Sequence, residues 1–418
     1  MITKRVLLGF VFSLIMSSCL FASGPLTLEE CIDIALKNHP DLEAAKGKIA
    51  SKKAVILQKK SGGLPQLSGS VGYTRTGNST TIGDSGSYGT SAMLEQSIYD
   101  WGKRRLSVKN AKLETEATTD DYLTTRDKVI ANVRIAYYAL NSATRRNKVA
   151  QTRYDNYQMR LKWAKSYYEI GTKPKIEVTK AETDLANSKL ALVRTESAME
   201  QSRVQLASDM GDASLKLKEV DDVLGFNNWT IDVNEAVNLA FLNRPELAAK
   251  KKRVDQAATS LEIEKKGLMP SLNVAAGYSW AGVHPFDTNG WTAKVAVSIP
   301  MLDGGLTKGR VQAATADLTT SNAEMASLEN SVTLEVRKAW ESLREAKEAL
   351  VASMEAEIQA KETYALAEGR YKAGVGNSLE ISDAVESYSI AQTNTVLSLY
   401  ECKVAQLALE KAMGGLEQ

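Results

Sequence analysis

The residues of this chain most suited to chemistry are acids placed just beyond two glycines. Glu177 lies six residues after Gly171, Glu380 six after Gly374, and Asp383 three further on. Positions i and i+3 share a helix face, so Glu380 and Asp383 set two carboxylates side by side. Acid near a helix start is favoured by the dipole, which accounts for Glu177 and Glu380. It accounts less well for Asp383. Catalysis has little to stand on. His39 and His284 are the only histidines, and neither has a companion at ligand spacing. The run 304–309, Gly-Gly-Leu-Thr-Lys-Gly, lacks the Gly-Lys-Ser/Thr order of a phosphate loop, and Gly374-Val375-Gly376 is an isolated pair. The expectation is a protein that is not an enzyme and has no cofactor.

The elements that position these acids are unusually long. No Gly or Pro occurs from 103 to 170 or from 310 to 368, so both stretches can be uninterrupted helices. The first would span roughly 100 Å at 1.5 Å per residue. It carries a seven-residue seam: Val129, Ala136, Ala143, Ala150, Tyr157 and Ala164, with Val133, Leu140, Asn147, Tyr154, Leu161 and Tyr168 four residues on. That pattern implies left-handed supercoiling over a shallow, Ala- and Tyr-rich interface. A return helix over 175–209 repeats Leu185, Leu192, Met199 and Leu206, and a half-length helix over 42–60 can stack end to end with it. Gly171 and Gly374 sit where a left-handed C-terminal cap is cheap.

The whole arrangement is written twice. Asn38-His39-Pro40-Asp41-Leu42 falls on Asn243-Arg244-Pro245-Glu246-Leu247 at an offset of 205, and Gly72-Tyr73 falls on Gly277-Tyr278. Past one loop the offset becomes 203, and Asp100 meets Asp303, Gly171 meets Gly374 and Met210-Gly211 meets Met413-Gly414. The expected organisation is a signal peptide at 1–22, a first repeat at 23–210, an inter-repeat linker at 211–230 and a second repeat at 231–418. Lys180 occupies the position of Asp383, so only the second repeat carries the paired acids.

Between the helices the period changes to two. Leu67, Gly69, Val71 and Tyr73 alternate with small or polar residues, and 88–98 runs back after a polar turn at 77–86. In the second half Leu272, Val274, Ala276, Tyr278 and Trp280 are answered by Trp291, Ala293, Val295, Val297 and Ile299. Strands of about ten residues, apolar on one face and aromatic-tipped, match transmembrane β-strands, although a soluble sandwich has a related pattern. Four strands cannot close a barrel, and an open edge cannot sit in lipid. Copies must therefore pool their hairpins. Two give eight strands and three give twelve. Three copies leave a wide bore among the helical columns, so a trimer is expected.

The amino terminus points to export. Lys4-Arg5 precedes an apolar run over 6–20 and small residues at Ala22-Ser23-Gly24. A second processing route runs through Met16-Ser17-Ser18-Cys19, which would leave Cys19 as a lipid anchor. Fifty-two basic against fifty acidic residues provide no field to gather nucleic acid. Cys31 and Cys402 are read as small core fillers, with a disulfide between them as the alternative.

Taken together, the chain resembles the TolC-like outer-membrane efflux proteins. The resemblance rests on Leu26-Thr27-Leu28-Glu29-Glu30, Asn38-His39-Pro40, Leu64-Pro65, Tyr99-Asp100-Trp101-Gly102, the run 300–305 and Arg370-Tyr371-Lys372-Ala373-Gly374. It implies an α+β membrane protein: a trimeric 12-stranded β-barrel, four strands per chain, continued by a long α-helical coiled-coil tunnel. It implies an outer-membrane location with a periplasmic extension. The implied role is the exit duct of a tripartite efflux pump or type I secretion system, joined to an inner-membrane transporter through a periplasmic adaptor (membrane fusion protein). The resemblance places a periplasmic gate at Glu177, Tyr371, Glu380 and Asp383, and adaptor contacts at Gly171, Thr172, Gly374 and Val375. The rival reading is a poreless periplasmic coiled-coil adaptor or structural protein.

Overall fold

Each half of the molecule runs through the same series of elements. The computed structural model describes residues 25–76, 85–217, 219–225 and 231–415. The expected signal peptide, Cys19 and most of the polar turn at 77–86 lie outside the described residues. The first half comprises α1 (Leu28–Asn38), α2 (Pro40–Ser61), β1 (Gln66–Thr76), β2 (Ser85–Tyr99), α3 (Lys103–Glu169) and α4 (Lys175–Asp209). The second comprises α5 (Val233–Asn243), α6 (Pro245–Lys265), β3 (Ser271–Gly282), β4 (Thr288–Ser298), α7 (Leu306–Lys372) and α8 (Ser378–Ala412). The long helices α3 and α7 are 67 residues each.

Local chemistry fixes the helix starts. Thr27 and Glu30 form a reciprocal capping box on α1, with Thr27 N–H donating to Glu30 Oε2 at 3.0 Å and Glu30 N–H donating to Thr27 Oγ1 at 3.3 Å. Pro40 and Pro245 open α2 and α6, where a missing N–H is harmless. His39 Nδ1 accepts from Asp41 N–H at 3.2 Å, a capping role in keeping with a loop residue. The two long helices start alike: Asp100 accepts from Gly102 and Arg104 N–H, and Asp303 accepts from Gly305 and Thr307 N–H. In α7 the helix runs beyond the expected bounds and includes Gly309 and Gly369. Tertiary packing along a helix this long outweighs a local cost of about 1 kcal/mol per glycine.

Burial follows one of the two expected heptad series. Val129, Ala136, Ala143, Ala150, Tyr157 and Ala164 are all buried. In the second series Val133 and Leu140 are buried, but Asn147, Tyr154 and Leu161 are only partly so and Tyr168 is exposed. Near its end α3 turns Arg160 inward in place of Leu161, because a charged network there takes over from apolar packing.

The short helices form composite columns. Gly211, after α4, adopts φ +98°, and a Cβ on it would lie 3.1 Å from the Asn38 carbonyl oxygen. Gly414, after α8, adopts φ +73°, and its Cβ would lie 2.9 Å from the Asn243 carbonyl carbon. The end of α4 thus abuts the α1–α2 junction, and the end of α8 abuts α5–α6. Arg244 replaces His39 in the second copy, and its Nε donates to the Ala412 carbonyl at 2.6 Å. Each junction has its own core, one around Cys31, Leu42, Val133, Tyr137, Leu206 and Met210, the other around Leu247, Val336, Leu343, Cys402 and Leu409. The two cysteines are free, buried and in separate cores, which rules out the disulfide. Desolvation, helped by the nearby Glu30 charge, pushes the Cys31 thiol up to about 12.

Part of the stretch expected as the inter-repeat linker is docked on the first half. Leu26 N–H donates to the Glu219 carbonyl at 2.8 Å, the Tyr137 hydroxyl donates to the carbonyls of Leu26 and Asp221, and Arg145 grips both oxygens of Asp222.

The strands form one antiparallel sheet in the order β1-β2-β3-β4. Its register aligns the apolar positions across all four strands: Val71 with Thr90, Tyr73 with Tyr88, Ala92 with Tyr278, Val274 with Val295. Directly opposed residues share a face, so one face carries Leu67, Val71, Tyr278, Trp291 and Val295 and the other Ser68, Ser70, Glu95, Asn273 and Lys294. The apolar face is bare: Val71 is 84% exposed and Trp291 76%. A bulge between Ser97 and Tyr99 sets Tyr99 opposite Leu272, which returns its side chain to the apolar face. The helices form a matching layer, with α2 against α3, α3 against α6 and α6 against α7, while α4, α3, α8 and α7 follow in that order lower down. Sheet and helical layer therefore end on the same flanks, β1 with α2 and α4 on one side, β4 with α7 on the other.

Candidate functional site: the helical tips

The two turns that join long and return helices are built alike. Gly171 and Gly374 both adopt φ +77°. Gly171 N–H donates to the Tyr168 carbonyl and Thr172 N–H to that of Tyr167; Gly374 N–H donates to Tyr371 and Val375 N–H to Arg370. These paired bonds are the Schellman arrangement, which satisfies carbonyls at both helix ends locally. Gly171, Thr172, Gly374 and Val375 are all exposed, and a Cβ on either glycine would meet nothing within 4 Å. The return helices differ in their caps. Asn377 Oδ1 accepts from Leu379 N–H at 2.9 Å at the start of α8, whereas Pro174 offers α4 no side-chain cap.

Behind the turns, Tyr371 anchors an aromatic cluster. It is buried with Tyr157, Ile381 and Val385, its ring centroid 5.9 Å from Tyr167 and 6.3 Å from Trp163. Glu177 faces it. The Tyr371 hydroxyl and Glu177 Oε2 are both buried and neither makes a close hydrogen bond to a described residue. Desolvation first, and the Glu177 charge second, raise the Tyr371 pKa above its ordinary value of 10, so the hydroxyl stays protonated. Glu380 and Asp383 are both exposed, whereas Ile381, Ser382 and Val385 between and beyond them are packed. The structure thus brings Glu177 and Tyr371 together and sets Glu380 and Asp383 apart from them. Arg370 Nε lies 3.1 Å from Glu380 Oε1, leaving Asp383 as the acid of the two without such a neighbour among the described residues.

A second network ties the two hairpins together, and the sequence pattern did not reveal it. Arg160, 1% exposed, donates from Nη1 to Asp184 Oδ2 at 3.0 Å and from Nη2 to the carbonyl and hydroxyl oxygens of Ser378, each at 2.8 Å. Ser382 Oγ donates to the same Asp184 oxygen at 2.9 Å. Closer to the tip, the Tyr167 hydroxyl donates to the Lys372 carbonyl at 3.2 Å and Lys173 Nζ to that of Gly376 at 3.1 Å. The Arg160–Asp184 pair joins α3 to α4 within the first hairpin, and the other bonds cross from the first hairpin to the second. The available signal was Arg160 standing three residues from Tyr157 on the seam, a position that apolar periodicity passes over. Its counterpart at the 203 offset is Thr363, so the network is not duplicated.

The sequence profile of the outer membrane efflux proteins matches residues 31–212 and 236–415. This chain belongs to the outer membrane efflux protein family. Among members, it is 24% identical over 314 residues to the fusaric acid resistance protein FusA of Burkholderia cepacia, a match covering 69% of this chain and 58% of FusA. The match therefore spans less than two thirds of FusA. It is 21% identical to the outer membrane protein TolC of Vibrio cholerae over 426 residues, covering 99% of this chain and 96% of TolC. The fold is that of CusC, a solved structure described in terms of folding and transmembrane channel formation, with a TM-score of 0.83 at 17% identity over 93% of this chain and 92% of CusC. Efflux family membership and the sheet-plus-long-helix fold thus agree, and the poreless adaptor reading is set aside.

Proposed function

We propose that three copies of this chain assemble into the outer-membrane exit duct of a tripartite efflux pump or type I secretion system. The observation that carries this reading is the coincidence of open flanks. The sheet ends at β1 and β4 where the helical layer ends at α2/α4 and α7, so one rotation closes both into a continuous tube. Three sheets make twelve strands, within the range of membrane barrels, and the bare apolar face turns to lipid. The helices extend the tube into the periplasm, where the exposed turns at Gly171, Thr172, Gly374 and Val375 meet a periplasmic adaptor and, through it, an inner-membrane transporter.

The narrow end is the gate. Threefold symmetry turns Asp383 into a ring of carboxylates, with Glu380 beside it and partly neutralised by Arg370. Glu177 and Tyr371 lie behind the ring. Confined carboxylates hold multivalent cations more firmly than monovalent ones. The test is single-channel conductance in planar bilayers. Divalent or trivalent cations added on the periplasmic side block the wild type, and Glu380→Ala with Asp383→Ala raises the blocking concentration, while Lys180→Ala does not. An unchanged blocking concentration removes these acids from the pore.

A further inference from the structure

A cavity of about 910 Å³ opens where β2 runs into α3. Six cations line it: Lys60 from the end of α2, Arg104, Arg105, Lys109 and Lys112 from the start of α3, and Lys266 from just past α6. Only two acids join them, Asp100 and Glu262, and Asp100 is spent on capping α3. The chain as a whole carries a net charge of only +2, so this is a local concentration of charge. Arg104 is held by the Ser97 carbonyl at 3.1 Å and Lys266 by that of Trp101 at 2.9 Å. The side chains of Lys60, Arg105, Lys109 and Lys112 have no ion-pair or hydrogen-bond partner among the described residues. Arg105, Lys109 and Lys112 are exposed along one stripe of α3.

The cavity also contains a strained aromatic residue. Trp101 adopts φ +55°, a left-handed conformation that bulky residues avoid. At the same place in the second half stands Gly304, at φ +62°, for which that conformation is free of strain. A side chain kept where glycine suits the backbone points to a use for it. The Trp101 ring lies 5.5 Å from that of Tyr99, which the bulge sets on the apolar face opposite Leu272. The cavity therefore sits at the helical end of the lipid-facing surface, where aromatic rings meet the headgroup layer. It centres on α3, between α2 and α6, with Lys60 the one lining residue from the flanking helix α2.

We propose that this cavity binds the phosphate headgroup of an anionic phospholipid in the periplasmic leaflet. The free cations of α3 and Lys60 hold the phosphate, and Trp101 and Tyr99 lie along the glycerol and upper acyl region. The second half has no such site: Lys308 is the counterpart of Arg105, but Gln312 and Thr315 replace Lys109 and Lys112. The proposal rests on the sheet being membrane-embedded.

The test is native mass spectrometry of the detergent-purified oligomer titrated with phosphatidylglycerol, phosphatidylcholine of the same acyl chains, or glycerol 3-phosphate. The expected result is retention of phosphatidylglycerol over both others. Removing one cation at a membrane surface weakens an anionic lipid about fivefold, so Arg105→Gln with Lys109→Gln should cost about 25-fold. Lys308→Gln with Arg310→Gln, at the start of α7, should leave affinity unchanged. Trp101→Gly keeps a backbone-compatible residue and should weaken the lipid about two- to fivefold, the effect of losing roughly 20–40 Å² of apolar contact, which provides a second variant if the charge pair disturbs assembly. Equal affinity in wild type and variants, or equal retention of phosphatidylcholine, overturns the proposal. Glycerol 3-phosphate binding as tightly as the lipid would make this a site for soluble phosphates and overturn it too. If oligomers remain in the outer-membrane fraction through such a result, the exit-duct reading stands and only the lipid site falls.

Discussion

Four glycines with positive φ allow steric and conformational costs to be separated. Gly171 and Gly374 at the tips have open space where a Cβ would go, whereas Gly211 and Gly414 face backbone at 3.1 and 2.9 Å. Alanine at either tip position incurs only the left-handed penalty, about 1–2 kcal/mol, offset by about 0.4–1 kcal/mol from a less flexible unfolded chain. The net cost is about 1 kcal/mol. At 211 and 414 the same penalty is joined by a backbone displacement of about 1–3 kcal/mol, giving about 2–4 kcal/mol. The temperature of heat-induced oligomer dissociation should therefore fall clearly more for Gly211→Ala and Gly414→Ala than for Gly171→Ala and Gly374→Ala. With valine at 171 or 374, transport assayed in cells should drop while oligomers still reach the outer membrane, because the altered turn is the proposed adaptor surface. Loss of oligomer and transport in equal measure would make the tip glycines folding determinants alone. Equal destabilisation at all four positions would refute the steric argument.

Other expectations follow from the networks. Arg160→Met leaves Asp184 partly buried without its cation and should cost about 3–5 kcal/mol, while Arg160→Met with Asp184→Leu should cost less than the sum of the singles; additive losses in a thermal double-mutant cycle would show that the pair is not coupled. Arg370→Ala removes the neighbour of Glu380 and should lower the concentration of divalent cation that blocks single channels, a direction opposite to that of Asp383→Ala. Burial raises the Cys31 thiol from 9.0 to about 12, so at pH 8 its thiolate is about a thousandfold scarcer than in the unfolded chain. Thiol reagents should label Cys31 only after denaturation. Because the folded-state value is the raised one, this group's contribution to stability is complete below pH 9 and fades as pH climbs from there toward 12.

The long helices were legible because Gly and Pro are absent over 103–170 and 310–368, and the strands because a period of two runs through β1, β3 and β4. The seam was legible where apolar residues make it, from Val129 to Ala164. It misled at Leu161, since periodicity assigns no inward place to an arginine. What positions Arg160 is Asp184, 24 residues on, and Ser378, 218 residues on, and contacts at that separation leave no local trace. The same holds for Arg370 beside Glu380, which changes the charge of the expected gate. The Ser97–Tyr99 bulge was hidden because one extra residue in a strand looks like any other. The Thr27–Glu30 capping box lies in a run that was read only for its resemblance, and only the start of α1 depends on it.

The central claim is that three chains close their flanks into one tube, and subunit stoichiometry tests it most directly. Native mass measurement of the complex extracted from outer membranes in mild detergent should give three copies of the chain. A stable, folded single chain in that membrane fraction, or a complex of two, would contradict the account.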